Sequence, residues 1–338
     1  MSTIGLGLMI RNEAKNLVEF LNQCVSFADI FCIVDTGSSD NSKEIALSWG
    51  KSSKDKKVIY IEAKKMVSEE INGEWLINDF ALARNIYVET LDPLVDYVFT
   101  ASVGNIIHAP HKIKEVIKSN NKVYGFKIKR GIGTFTHHRL FKTKLGIRYF
   151  GAVHEYPDIW RAKEDPVDTG LVITHECGNQ SSQESSAKRN LRILEREYKK
   201  KPSSRTLFYY AMALRDCKLH KEAVKIYDEY LAGPDLYHDE RMFAHYYKMC
   251  CLSTYHPNDA IKAGYKALAD DQRFSEIPML MAYMYWNAKR YDKALAMCLL
   301  AQQQPPKSDM FLELCKYKQE PLDMINKIQN LKVAKKNS

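Results

Sequence analysis

Residues 30–42 read IFCIVDTGSSDNS. Five apolar residues end on a carboxylate, Asp35, and small polar residues follow. This is the pattern of a buried strand that runs into a turn. NSKEIALSWG, residues 41–50, then takes helical spacing, with Asp40 or Asn41 as N-cap and Gly50 near its end. Upstream, TIGLGLMI (3–10) is strand-like and NEAKNLVEFLNQCVSF (12–27) repeats apolar residues every three or four positions. Downstream, KVIYIEA (57–63) reads as a strand, DFALARNIYVETL (79–91) as a helix and VDYVFTA (95–101) as a strand. Such alternation predicts an α/β domain with a mostly parallel, Rossmann-like sheet covered on both faces. Ligands of these sheets sit at the carboxyl ends of the strands. Asp35 stands at one such end, and the loop SVGN, residues 102–105, at another.

After about residue 185 the strands stop. SAKRNLRILEREYKKKP (186–202) is a long polar helix. Three stretches then resemble one another: FYYAMALRDCKLHKEAVKIYDEYL, AHYYKMCCLSTYHPNDAIKAGYKAL and LMAYMYWNAKRYDKALAMCLLA. Ala223, Ala260 and Ala294 hold equivalent places in them, at spacings of 37 and 34. That period, with small residues at helix crossings, predicts tetratricopeptide-like helix pairs, which must stack to bury their apolar faces. The predicted organisation is an α/β domain over 1–180, a linking helix over 181–202, all-α repeats over 203–325 and a frayed basic tail over 326–338.

The 338 residues suffice for about two domains, and 45% are apolar. A net charge of +9, from 50 basic and 41 acidic residues, is mild for this length. It fits a solvated surface or a surface for an anionic partner. The basic residues are scattered rather than interleaved with aromatics, which argues against nucleic acid. None of the eight cysteines forms a C-x-x-C pair, so neither a disulfide framework nor a zinc site is expected. No signal peptide or transmembrane run is read, and the expected compartment is cytoplasmic.

Several side chains could carry chemistry. Asp35, followed by Gly37 and small hydroxyls, suits a nucleoside base or ribose, and equally a turn with a helix cap. Arg11, Asn12 and Glu13 lie just past the first strand, where a helix starts. Asp79 and Arg84 share one helix and would make an ordinary surface ion pair. Glu155, in AVHE, could serve as a general base, a role that contributes about 10²–10⁴-fold. His175, after GLVIT, could be a metal ligand or a hydrogen-bonded structural histidine.

The order of MIRNEAKNL, IVDTGSSDNS, NDFALARN, RLFKTKLGIRYFGAVHE, THECG, KRNLRILERE and the repeats resembles one family over nearly the whole chain. It is similar to family 2-type inverting glycosyltransferases with a GT-A fold and a C-terminal tetratricopeptide domain. These include bacterial enzymes that glycosylate peptides and cell-surface polymers. The resemblance implies a nucleoside-diphosphate sugar donor, a UDP-sugar first, and a protein or glycan acceptor. The helical repeats would bind a protein partner. Arg11, Glu13 and Asp35 would line the nucleoside pocket, and Asp79 and Arg84 its ribose and phosphate side. Glu155 would be the base near the acceptor, and His175 would face the diphosphate or metal.

The departure from the family lies in DYVFTASVGN, residues 96–105. The family carries a D-x-D-type cluster here that holds Mn²⁺ or Mg²⁺. Ser102 and Gly104 stand where the two Asp should be, and Asn105 where the next acid should be. The nearest acids are Asp96 and Glu115. Hard dications favour carboxylates. A divalent ion is therefore not expected in the family's manner. Either cationic side chains such as Arg84, Arg130 or Arg139 take over its task, or turnover is slow or absent. The alternative is an inactive glycosyltransferase-like scaffold that binds a nucleotide, with repeats that bind a protein.

Overall fold

The computed structural model describes residues 2–53, 55–130, 133–175, 185–200, 202–234, 236–306, 308 and 312–336. The chain divides into two compact units, Met1–Gln183 and Glu184–Ser338.

In the first unit, β1 (Ile4–Ile10), β2 (Ile30–Asp35) and β3 (Lys57–Glu62) run parallel, with α1 (Leu17–Cys24) and α2 (Ser42–Ser52) as crossovers. β1 is buried almost throughout, which explains its unbroken apolar run. α1 turns Leu17, Phe20, Leu21 and Cys24 inward. After β3 come a one-turn helix α3 (Lys64–Val67), a hairpin of β4 (Ser68–Ile71) and β5 (Glu74–Ile77), and α4 (Phe80–Leu91). β6 (Tyr97–Ala101) joins the sheet parallel to β1.

Then follow β7 (Asn105–Ile107), the short α5 (Ile113–Val116), β8 (Val123–Arg130) and β9 (Gly133–Lys142). β10 (Tyr149–Phe150), β11 (Tyr156–Pro157) and β12 (Val167–His175) complete this unit's strands among the described residues. The main sheet has the order β3-β2-β1-β6-β9-β8-β12-β7. The sheet was expected to be mostly parallel, and β3-β2-β1-β6 is parallel throughout. The other half is mixed, because β9 runs antiparallel to both β6 and β8, and β7 antiparallel to β12. Apolar clusters cover the sheet: Leu6, Leu8, Phe31 and Phe99 belong to one, and Val34, Tyr87, Leu91 and Val98 to another.

Two glycines let α4 sit down on β1. A Cβ at Gly7 would stand 2.1 Å from the Tyr87 ring, and one at Gly5 would stand 2.6 Å from Leu91. Neither ring nor branch has room to move, since Tyr87 and Leu91 are fully buried.

The second unit is helical among its described residues: α6 (Ser186–Lys200), α7 (Ser204–Asp216), α8 (His220–Leu231), α9 (His238–Ser253), α10 (Pro257–Asp270), α11 (Glu276–Asn287), α12 (Tyr291–Ala301) and α13 (Gln319–Lys336). α7 packs on α8, α9 on α10 and α11 on α12. Ala223, Ala260 and Ala294 are wholly buried, as small residues at helix crossings should be. α6, read from the sequence as a linker, packs on α7 and buries Ile193 and Leu194. α13 runs through most of the stretch read as a basic tail. Ile325 and Ile328 anchor it among the core residues, while Lys327 and Lys332 are exposed. No helix among the described residues is long and apolar enough to cross a membrane.

Gly7→Ala is expected to destabilise the first unit by about 1–3 kcal/mol, the cost of overpacking a filled core. Thermal unfolding followed by near-UV circular dichroism reports it. An unchanged midpoint would show that α4 is not seated on β1 in this way.

Candidate active site

At the carboxyl ends of β1 and β2 two loops are laced together. Asp35 closes its own turn: Oδ1 accepts from Gly37 N at 2.8 Å and Ser38 N at 2.7 Å, while Oδ2 accepts from the Tyr60 hydroxyl. Burial first, then the Asp35 carboxylate, pushes the Tyr60 phenol well above its ordinary value, so it remains a donor. Gly37 has φ +118°, a conformation that favours glycine. The hydroxyls that follow do not stay free for a ligand. Ser38 Oγ takes Asn12 N at 2.9 Å, Ser42 Oγ takes Glu13 N at 2.8 Å, and Asn12 Oδ1 takes Ser39 N at 2.7 Å. The stretch RNE, read as a helix start, is thus a loop pinned to the β2 turn. Its Glu13 carboxyl is raised by burial and by Asp40 nearby. Arg11 reaches towards the β4–β5 hairpin, 3.9 Å from Glu74.

Residues 102–105 form a closed turn after β6. Asn105 N donates to Ser102 O at 3.1 Å, and Asn105 Oδ1 accepts from Ser102 N at 3.0 Å. Gly104 has φ +86°, and Val103 and Asn105 are buried. A divalent ion of the kind the resemblance implies does not fit these residues. They offer one hydroxyl, a buried valine, a glycine and an amide oxygen already spent on the turn, where a hard dication needs carboxylates. No group of three His, Cys, Asp or Glu among the described residues could hold a metal ion. His175 ends β12 and pairs through its backbone with Asn105. Its side chain lies outside the described residues, as does that of Arg130.

The third cluster joins α4 to the β10–β11 connection. Phe80 N donates to Ala152 O at 3.0 Å. Asn85 exchanges two hydrogen bonds with the Tyr149 backbone, at 2.9 and 2.7 Å. Arg84 Nε donates to Glu155 Oε1 at 2.6 Å, and its Nη1 donates to the Tyr87 hydroxyl at 3.0 Å. The same guanidinium lies 5.4 Å over the Tyr149 ring, whose hydroxyl meets Thr100 of β6 at 2.9 Å. Burial alone would raise the Glu155 carboxyl. The charge and hydrogen bond of Arg84 outweigh it, with help from Arg139, and hold the group below the usual carboxylate range. Burial, then Arg139 and Arg84, pushes His137 well below its ordinary value, so its imidazole is neutral.

Of the residues singled out from the sequence, Asp35 lies with Arg11 and Glu13 at the ends of β1 and β2, and Arg84 meets Glu155 beyond the end of β6. The expected surface pair of Asp79 and Arg84 does not form in that way. Asp79 caps α4, accepting from Leu82 N at 2.8 Å, while Arg84 is buried on the far side of the first turn. Five residues separate them, which puts them on different faces of a helix. Sequence reading missed Tyr60, Asn85, Tyr87 and Tyr149. Two of them lay inside quoted motifs, Asn85 at the end of NDFALARN and Tyr149 within RLFKTKLGIRYFGAVHE.

No family model and no curated protein matches the chain. Among solved structures it is similar to a mannosyltransferase from Pyrobaculum calidifontis in complex with GDP-Man and Mn²⁺, with a TM-score of 0.39 and 13% identity over 80% of this chain and 88% of that one. It is also similar to glucosyl-3-phosphoglycerate synthase from Mycobacterium tuberculosis in complex with phosphoglyceric acid, with a TM-score of 0.28 and 14% identity over 39% of this chain. A mycobacterial protein gives a TM-score of 0.29 and 14% identity over 39% of this chain. The matches span 45% of the synthase and 42% of the mycobacterial protein, less than half of either. Likenesses this weak decide neither fold nor activity.

Removing one partner of a buried ion pair strands the other, at a cost of about 3–5 kcal/mol. Glu155→Gln is expected to lower the urea midpoint of the first unit accordingly, and the Arg84→Met/Glu155→Leu double variant to be more stable than the Glu155 single variant. Because the folded carboxyl is held below its unfolded value, its contribution is full above that value. It is lost as pH falls through the lower folded one. Glu155→Gln should therefore flatten the acid limb of the stability–pH curve below about pH 4.5. A parallel shift of the whole curve, with the acid limb intact, would contradict the pairing.

Proposed function

We propose that the first unit is a GT-A glycosyltransferase. It would move a sugar from a nucleoside diphosphate, a UDP-sugar first, to a protein or glycan nucleophile with inversion. One observation carries the reading: NDFALARN and YFGAVHE, two of the motifs on which the resemblance rests, are fastened together. Phe80, Asn85 and Arg84 bind Ala152, Tyr149 and Glu155 beside the end of β6. Open α/β sheets place ligands at such strand ends.

In this reading Asp35, Arg11 and Glu13 hold the nucleoside, Asp79 and Arg84 border the ribose and phosphates, and His175 faces the diphosphate. The acceptor attacks the anomeric carbon opposite the departing diphosphate. A bond from that carbon to the acceptor forms as the bond to phosphate oxygen breaks, and the acceptor's proton passes to Glu155. A carboxylate held low by a guanidinium is a weak base. Arg84 turning towards an incoming phosphate would loosen its grip and raise Glu155 towards working range. A divalent ion, where bound, would neutralise the diphosphate. Residues 102–105 do not suit one, so no step here depends on it. The helical unit would stack tetratricopeptide-like pairs and hold a protein partner.

A second reading has an observation of its own. The closed turn at 102–105 would also suit a chain that has given up transfer and kept nucleotide binding, a scaffold with protein-binding helices.

Thermal shift against UDP- and GDP-sugars, with and without Mn²⁺, followed by assay of diphosphate release with peptide and glycan acceptors, separates the readings. The transferase reading expects a stabilising donor and release that needs an acceptor. A shift without release supports the scaffold, and no shift with any donor counts against both. Asp35→Asn is expected to weaken nucleotide binding about tenfold or more, the worth of a hydrogen bond to a charged group, while the fold persists. Unchanged affinity in a folded Asp35→Asn variant would remove Asp35 from the pocket.

A further inference from the structure

Arg139 occupies an irregular place in the sheet. On β8, Tyr124 pairs with Leu140 and Gly125 pairs with His138, so Arg139 falls between two consecutive partners as the extra residue of a β-bulge. Bulges bend a strand and re-aim a side chain, and they recur beside active sites. On its other flank Leu140 pairs with Phe99 of β6, which sets Arg139 level with Thr100 near that strand's carboxyl end.

The side chain placed there is short of partners. Arg139 Nε is buried and has no hydrogen-bond partner among the described residues. Arg196, Arg205 and Arg241 also carry a guanidine nitrogen inside, and each of those arginines has a carboxylate within 4 Å. Arg139 has no ion pair of this kind among the described residues. It lies within electrostatic reach of Arg84, Tyr87, Tyr149 and Glu155. The one carboxylate among these is already bonded to Arg84 at 2.6 Å. Burial, then the Arg84 charge, lowers the Arg139 guanidinium, which remains a cation all the same. Arg139 as a whole is half-buried, with its Nε inside. Two guanidinium groups and one carboxylate leave one positive charge uncompensated, which favours an anion beside them.

We infer that Arg139 and Arg84 together form a binding site for the phosphate groups of the bound nucleotide, taking the charge that a metal ion would otherwise neutralise. The inference deepens the glycosyltransferase reading and rests on it for the identity of the nucleotide. An arginine fork suits two oxygens of one phosphate, which a lysine cannot hold in the same way.

Calorimetry in EDTA tests this, with inorganic pyrophosphate, UDP, GDP, uridine and guanosine as probes. The wild type is expected to bind pyrophosphate and one nucleoside diphosphate without metal. Arg139→Gln should weaken both by about tenfold or more, Arg139→Lys by less, and nucleoside affinity should stay unchanged. If Arg139→Gln does not fold by circular dichroism, Arg139→Lys decides the matter by a several-fold loss confined to the phosphate probes. Pyrophosphate binding that depends on Arg139, with nucleosides adding nothing, would support the inference and sink the nucleotide-sugar reading alone. Tight nucleoside diphosphate binding that ignores both variants would overturn the inference and leave that reading standing. A wild type that binds no phosphate probe would overturn it outright.

Discussion

A buried guanidinium needs an anion, and in this protein the requirement organises the region around it. Arg84 is 8% exposed, and its anion, Glu155, lies 71 residues further along the chain. Taking either charge out of water costs several kcal/mol, so the pair holds only if both ends are positioned in advance. The positioning is visible. Gly7 lets Tyr87 pack flush on β1, which fixes α4 and offers Arg84 its second acceptor. Asn85 and Phe80 tie the opposite wall by its backbone. His154 takes φ +55° on the way to Glu155, a strained approach that the surrounding bonds must hold in place.

The electrostatics of the end of β6 follow from the same pair. A loop with two or three carboxylates there would draw cations. The chain instead has a turn closed by Asn105, with no acid between Asp96 and Glu115. Two arginines stand on the elements beside it. On the proposed reading the local sign is positive, and the guest would be an anion rather than a metal ion. Asp35, at the end of β2, spends both oxygens on its own turn and on Tyr60, and so ties that turn to β3.

How much of this was legible in the sequence depends on the range of the interaction. The alternation of strand and helix up to residue 101 was readable, because burial on both faces imposes unbroken apolar runs such as IGLGLMI. The helix pairs were readable from the spacing of Ala223, Ala260 and Ala294, since close crossings tolerate only small side chains. Asp35 was placed correctly at a strand end, but the use of its neighbours was not seen. Ser38 and Ser42 bond to residues 26 and 29 positions earlier, and nothing local marks them. The expected pairing of Asp79 with Arg84 failed for the same reason. A helix N-cap satisfies the aspartate locally, while the arginine's partner arrives from a distant loop. The antiparallel β8–β9 hairpin also escaped notice, and with it the bulge at Arg139. A bulge is a defect of register, and register belongs to a pair of strands rather than to either alone.

On the proposed reading, the cluster would itself assist the binding of its anion. With one carboxylate to two arginines, Arg84 and Arg139 would repel each other, and a bound anion would relieve that repulsion. Part of the binding free energy then comes from the protein's own repulsion, which a hydrophobic replacement would abolish along with the binding. The same logic orders events. A phosphate that draws Arg84 away frees the Glu155 carboxylate, whose burial then dominates and raises its proton affinity. On the proposed reading, donor binding would thus prepare Glu155 to act as base.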